Sequence, residues 1–346
     1  MLDVDVEVPR SSFVVRAAFC VGVAGRLALY GPSGSGKTTV LETIAGLVRP
    51  SRGHVVLGGR TLTSAPPCRV VALPDRRIGL LAQAPGLFAH LDVAANLAYG
   101  ARSPAQRDRL PGLTEALGLT GLLGARPREL SGGQAQRVAL GRVLVTDVDL
   151  VLLDEPFAGL DPAARAELAG LVDRVLAERR VAAILVSHEL GEAQGFSGRL
   201  GVIHGGRLLA VGGSAELVRD PRTSEVAGLL GYRGVLPPTV TGDGTWRGVH
   251  PDRVVSGAWS ERGIVLTGCV VRVQPHGPRV RVTLELPGAG AGRGGRELPE
   301  GAPVRVEAHL DAPVEVGQPV TVTALDPPLL DPPVLDPPVA PRQAGT

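Results

Sequence analysis

The chain has 346 residues, and at roughly 150 residues per domain that length suggests about two domains rather than one small module. Hydrophobic residues make up 44% and charged residues 20%, which marks the bulk as globular, while 47 Gly and 30 Pro require many turns and at least one loose segment. A formal net charge of only +2 excludes the basic footprint of a nucleic-acid binder.

In chain order, the acidic, alternating start Met1 to Glu7 predicts a first strand and lacks the basic opening of a secretory signal. The apolar stretch Val14 to Tyr30 is broken by Arg16 and Arg26, so it cannot span a bilayer, and any membrane connection must come through a partner. Arg26 to Tyr30, Leu150 to Leu153 and Ala182 to Val186 read as strands, and residues 92–146 as a helical insertion. The alternation of strands and helices up to about residue 230 predicts an α/β domain on a largely parallel sheet.

From about residue 235 the texture changes to β alternation, as in Val270 to Val273 and Arg279 to Leu284 around the turn Pro275-His276-Gly277-Pro278, which predicts a small barrel or sandwich. Gly288 to Gly295 reads as a mobile loop. After Leu325 a Leu-Asp-Pro-Pro unit recurs three times, which predicts a disordered or polyproline-like tail. Cys20, Cys68 and Cys269 are too widely spaced for a disulfide framework or a zinc site, which leaves them as core or loop residues in a reducing compartment.

Three segments carry chemistry. Gly31-Pro32-Ser33-Gly34-Ser35-Gly36-Lys37-Thr38-Thr39 follows a predicted strand and precedes a predicted helix, the context a phosphate loop requires. Its glycines let backbone N–H groups turn toward phosphates, Lys37 neutralises phosphate charge and the Thr38 hydroxyl can ligate Mg²⁺. Of 36 Lys plus Arg, Lys37 is the single lysine, placed where a slender ammonium and not a guanidinium fork must reach into the cradle. At the end of the strand 150–153, Asp154 can hold Mg²⁺ and Glu155 can polarise an attacking water, because sites in open α/β sheets lie at C-terminal strand ends. The third segment, Leu130-Ser131-Gly132-Gly133-Gln134, opens a helix and forms a second anion-binding surface that a chain with one nucleotide site would not need.

Together, in this order, these motifs make residues 1–232 resemble the ATP-binding subunits of ABC transporters, with a helical subdomain at about 85–146. The resemblance implies a homodimer sandwiching two ATP molecules with Mg²⁺, each ATP between the phosphate loop of one copy (Gly31, Ser33 to Thr39) and Ser131 to Gln134 of the other. It also assigns Gln83 to Mg²⁺ and the attacking water, His188 to the γ-phosphate switch and Asp161 to the loop crossing the dimer interface. Ala158 and Gly159 depart there from the small polar pair often found before it. Adenine stacking falls to Phe13, with Phe19 behind it, although either could be core.

The segments Pro85 to Leu91 and Asn96 to Gly100 resemble the importer groove that receives a helix of the membrane subunit. Residues 233–325, with His250-Pro251-Asp252-Arg253-Val254 and the run Gly263 to Leu286, resemble the oligonucleotide-binding-like (TOBE) domain of importer ATPases; residues 326–346 form the tail. With the approach Leu73 to Gly79, the match looks most like the molybdate branch, and sulfate, sugar, polyamine and iron importers are the alternatives. The comparable places for oxyanion capture, Gly263 to Gly268 and Thr321 to Thr323, hold no lysine, so subunit association is the expected role of that domain. The resemblance places the chain on the cytoplasmic face of the membrane with permease subunits and a substrate-binding protein as partners. A soluble, non-transport ABC ATPase is the competing reading; it calls for duplicated cassettes, coiled coils or basic patches.

Overall fold

The computed structural model describes residues 1–257, 263–286, 304–311 and 313–331. The chain forms two compact units, Met1–Ser214 and Ala215–Thr346.

The strands of the first unit are β1 (Leu2–Pro9), β2 (Val14–Val21), β3 (Arg26–Tyr30), β4 (Arg52–Leu57), β5 (Arg60–Ala65), β6 (Arg69–Val70), β7 (Ile78–Leu81), β8 (Leu150–Asp154), β9 (Ala182–Ser187), β10 (Arg199–His204) and β11 (Arg207–Gly213). They join one eleven-stranded sheet in the order β6-β5-β4-β1-β2-β11-β10-β3-β9-β8-β7. Strands β10-β3-β9-β8-β7 pair in parallel, as do β11 and β2, while β10–β11 and the run β6-β5-β4-β1-β2 pair antiparallel. The expected largely parallel sheet is therefore mixed. The reason is local: Gly58-Gly59 and Gly205-Gly206 all have positive φ, the backbone of two-residue hairpin loops, so β4–β5 and β10–β11 fold back on themselves.

The helices are α1 (Lys37–Ala45), α2 (Val93–Tyr99), α3 (Pro104–Asp108), α4 (Leu110–Ala116), α5 (Gly132–Leu144), α6 (Pro162–Arg179) and α7 (Leu190–Phe196). The central strands are buried on both faces, which is why they read as continuous apolar runs. Along β8, Leu150 and Leu152 pack with α1 residues Leu41 and Ile44, while Val151 and Leu153 pack with Val138 and Leu140 of α5 and Leu168 and Val172 of α6. Each such side chain adds about 1.5–3 kcal/mol on burial.

Arg76 is the largest fully buried side chain, 2% exposed. Its guanidinium donates to the carbonyls of Ile44 (3.0 Å), Val71 (3.0 Å) and Leu62 (3.2 Å) and to Thr63 Oγ1 (2.7 Å). One cation thus closes the carbonyl end of α1, where the helix dipole is negative, and ties it to the segment leading into β7. Gly46, in the left-handed conformation, is obligatory there because a Cβ would come within 2.3 Å of the guanidinium carbon.

The second unit contains α8 (Ser214–Arg219, which straddles the boundary), α9 (Ser224–Leu229), β12 (Val235–Leu236), α10 (Pro238–Thr241), β13 (Trp246–Gly248), β14 (Val254–Ser256), β15 (Gly263–His276), β16 (Arg279–Leu286), β17 (Val304–Leu310), β18 (Pro319–Leu325) and β19 (Leu329–Leu330). Among the described residues these strands form two antiparallel sheets, β14-β18-β15-β16-β17 and β12-β13-β19. The hydrogen-bonded order is open, where a closed barrel was one expectation. Its core is the alternating inward set Leu266, Val270, Val282, Leu284, Val306 and Val322.

Three further expectations meet a different structure. The units part at Ser214/Ala215 and not at 232/233, because Ala227 and Tyr232 pack with Leu330, and the Tyr232 hydroxyl donates to the carbonyl of Val218 at 2.9 Å. The start of the tail is ordered: Leu330 is buried and pairs with Trp246, so the first Leu-Asp-Pro-Pro repeat leads into a strand. Cys20, Cys68 and Cys269 are exposed, on outward positions of strands or in a turn, and none belongs to the core. The expected mobile loop 288–295 and the tail beyond 331 lie outside the described residues.

Candidate functional site: a phosphate-loop cleft and a separate signature cavity

Adjacent strands β3, β9, β8 and β7 run parallel, so their C-terminal ends deliver Gly31 onward, His188, Asp154 with Glu155, and Gln83 to one edge of the sheet. The phosphate loop departs from β3, and Gly34 and Gly36 take positive φ (78° and 101°). Gly36 is the N-cap of α1, so the amides of its first turn point into the loop. Gly31 must lack a side chain, because a Cβ would lie 2.0 Å from the Ile203 carbonyl oxygen. Lys37 Nζ donates to the carbonyls of Gly31 (2.8 Å) and Pro32 (2.9 Å) and is held across the cradle while only 5% exposed. Burial lowers its pKa from the ordinary lysine value, and the nearby Glu155 and Asp154 charges oppose that shift.

Asp154 ends β8 buried, and its Oδ1 has no hydrogen-bond partner. Burial raises its pKa, opposed by the Thr38 hydroxyl, which donates to the carboxylate. Glu155 takes a left-handed backbone, φ 47°, a conformation that costs a non-glycine residue about 1 kcal/mol or more and that clusters at functional sites. The turn aims its carboxylate between two partners: His188 Nδ1 lies 3.1 Å from Oε1, and Gln83 Nε2 makes a long 3.4 Å contact with Oε2. The base, switch and glutamine candidates therefore meet around one carboxylate.

Glu155 and Gln83 line a cavity of about 470 Å³ with Phe13, Ser33, Lys37, Thr38 and Thr39, and His188 stands outside that lining, against Glu155. Phe13 is half-buried at its rim, whereas Phe19 is 7% exposed inside the first core cluster and is removed from the stacking candidates. Arg10, which sequence reasoning missed, also lines the cavity; it donates to Thr39 Oγ1 (3.0 Å) and pairs with Glu42 (2.8 Å). The signal available was the polar turn Arg10-Ser11-Ser12 set between two apolar strands.

Ser131 to Gln134 are not part of that cavity. They line a second one, of about 750 Å³, with Asp161 and Gln83. Ser131 is the N-cap of α5, and its hydroxyl and the Gln134 side chain bond reciprocally to each other's backbone N–H (3.3 and 2.9 Å), a capping box. Gly133 lies close under Leu160, whose Cδ2 would be 2.8 Å from a Cβ and would have to shift to admit one. Asp161 caps α6 by accepting from the amides of Ala163 and Ala164 at 3.0 Å each, which holds its carboxyl below the usual range.

The segment 85–100 is locked by two residues. Asn96, fully buried, accepts from Phe88 N (2.9 Å) and donates to the carbonyls of Phe88, Leu91 and Asp92. Arg142 of α5 donates to the carbonyls of Pro85 (3.2 Å) and Gly86 (3.0 Å) and sits 5.2 Å over the Phe88 ring, which packs at 4.4 Å against Tyr99. Tyr99 is 59% exposed, so this stretch presents an aromatic edge and not a closed core.

Hard oxygen donors for a divalent cation stand at the first cavity: Thr38 and Gln83 line it, and the buried Asp154 carboxylate, its Oδ1 unpaired, lies behind the Thr38 hydroxyl that donates to it. Among the described residues no group of three His, Cys, Asp or Glu could hold a metal alone, so nucleotide phosphates would complete the shell, as is usual for Mg²⁺. The ion would supply charge neutralisation between the phosphates.

Fold and site define a phosphate-loop nucleotide hydrolase. A family profile described as ABC transporter matches residues 16–158. The Fe(3+) ions import ATP-binding protein FbpC of Pseudomonas fluorescens is 45% identical over 215 residues, 61% of this chain and 60% of that protein. The sulfate/thiosulfate import ATP-binding protein CysA of Mycobacterium tuberculosis is 36% identical over 316 residues, 86% of this chain and 88% of the relative. The molybdenum import ATP-binding protein ModC of M. tuberculosis is 39% identical over 233 residues, 64% and 63% of the two chains. The chain thus spans less than two thirds of the length of the iron and molybdenum relatives and most of the sulfate one. A solved ATP-binding subunit of an ABC transporter, 28% identical, superposes with a TM-score of 0.56 over 63% of this chain and 91% of its own. The chain belongs to the ABC transporter family, as one of its ATP-hydrolysing subunits.

Proposed function

We propose that this chain is the energy-coupling ATPase of an import system, acting as a homodimer in which the phosphate-loop cavity of one copy and Ser131 to Gln134 of the other enclose each ATP. Glu155 acts as the base for the attacking water, His188 holds the γ-phosphate end and Asp154 and Thr38 take Mg²⁺. Supporting the shared site, the two half-surfaces line separate cavities in one chain. ATP then closes the pair and hydrolysis reopens it, a cycle of differential binding that a partner can read.

The importer role rests on one observation above others, the match to a sulfate/thiosulfate import relative across both units. The exposed Tyr99 and Phe88 edge fits a helix of a permease subunit, and among the described residues no helix is long and apolar enough to cross a membrane. In this reading the chain works peripherally, at the cytoplasmic face, with a permease and a substrate-binding protein. The substrate reading is a tetrahedral oxyanion, molybdate first from the sequence and sulfate second from the full-length relatives; iron is the alternative, favoured by the 45% identity in the ATPase part.

The test is uptake of labelled molybdate, with sulfate as competitor, in cells whose only copy is the native chain or Glu155→Gln. Uptake that needs Glu155 and resists sulfate supports a molybdate importer. Competition by sulfate moves the substrate to sulfate, and uptake indifferent to Glu155 removes the oxyanion role.

A further inference from the structure

Around the loop that carries His188 lies a charged network, none of whose members lines the nucleotide cavity. Arg165, in the first turn of α6 and four residues after the capping Asp161, pairs through Nη1 with Glu189, the residue directly after His188. On the other side of His188, the fully buried Ser187 donates its hydroxyl to Glu192 Oε2 and accepts from Glu189 N at 2.9 Å. The loop carrying the switch histidine is thus held by α6 on one side and by α7 on the other.

Two atoms in this network are left over. Arg165 Nε and Glu192 Oε1 are both buried and both without a hydrogen-bond partner, and leaving such a donor or acceptor unpaired costs about 1–3 kcal/mol. They belong to groups of opposite charge: burial and then the Glu189 charge raise the Glu192 pKa, while the Ser187 hydroxyl, and after it the Arg165 charge, oppose that. The pair that Arg165 does make, with Glu189, is 31% and 45% exposed on its two sides, the kind of ion pair that contributes only about 0–1 kcal/mol. The bond that Arg165 makes is thus a weak one, and the loop it holds also carries, three residues on, a buried carboxylate oxygen without a partner.

We propose that Arg165 is a positioning residue that exchanges between Glu189 and Glu192, and so carries movement of the Asp161 loop into the switch histidine. With Arg165 on Glu189, His188 is held at its 3.1 Å contact with Glu155. When α6 shifts, Arg165 passes to Glu192, residue 189 is released and the histidine can turn. The inference rests on the ATPase reading and needs neither the importer role nor a particular substrate.

The test uses the full chain and measures kcat and KM for ATP together with the melting temperature. Glu192→Gln keeps the shape and an acceptor for Ser187 but not the charge; it is expected to lower kcat about fivefold or more, the low end of a coupling effect, with KM and melting temperature unchanged. Arg165→Ala combined with Glu192→Gln is expected to lose no more than Arg165→Ala alone, as for residues acting as one unit, and Arg165→Lys to recover part of the rate. An active wild type with an unaffected Glu192→Gln overturns the exchange alone. So do losses that multiply in the double variant or that follow the melting temperature. A wild type that does not hydrolyse ATP overturns the ATPase reading with it.

Discussion

The two cavities of the first unit are opposites in how they treat their polar groups. Around the phosphate loop, burial has outrun pairing: Lys37 is desolvated against backbone carbonyls, Asp154 Oδ1 has no partner and Glu155 sits on a left-handed backbone. Around the signature, Ser131 and Gln134 are already used in a capping box and Asp161 as a helix cap. One side leaves buried polar groups to be satisfied; the other is a finished helix terminus with its side chains bonded within the chain. That asymmetry fits the proposed site shared between two copies.

Four substitutions sharpen or break this contrast. Glu155→Gln removes the base candidate and is expected to cut kcat by about 10²–10⁴, with ATP binding intact and the ATP-bound dimer persisting on gel filtration. Lys37→Ala removes a charged donor and should weaken ATP binding by about 2–3 kcal/mol, roughly a hundredfold, by calorimetry. Ser131→Ala lies outside the phosphate-loop cavity. It should leave ATP binding to the isolated chain unchanged while costing about 1 kcal/mol of α5 stability and weakening ATP-driven self-association.

Asp154→Asn has the smallest effect and the opposite sign. Because burial raises the Asp154 pKa, its charge opposes folding at neutral pH. Removing it should raise the melting temperature of the nucleotide-free protein, by about 2–4 °C for each kcal/mol in a unit of this size. The gain should fade as the pH falls toward the ordinary value of 3.8, where the native aspartate is protonated whether folded or not.

The sheet edge that gathers the candidate site residues was legible in the sequence because each part is local: a glycine-rich loop after a strand, acids after four apolar residues, and a serine and two glycines opening a helix. What was not legible depends on distance in the chain. Nothing near Arg76 announces that it will bond to Ile44, Leu62 and Thr63, and Arg142 reads as the polar face of a helix until Phe88 arrives beneath it. The mixed sheet was missed although Gly58-Gly59 and Gly205-Gly206 both signal tight hairpins. The ordered start of the tail was missed because composition masked Leu329 and Leu330, which complete a sheet that begins some ninety residues earlier.

The most direct test of a shared site is complementation between two inactive chains. Lys37→Ala keeps its signature but loses the phosphate loop, and Ser131→Arg does the reverse, so neither alone can hydrolyse ATP if each site needs both halves. Mixed in equal amounts, they form heterodimers with one intact site, and turnover should return to on the order of a quarter of the wild-type level. A mixture as inactive as its components, with heterodimers demonstrably formed, would contradict the account.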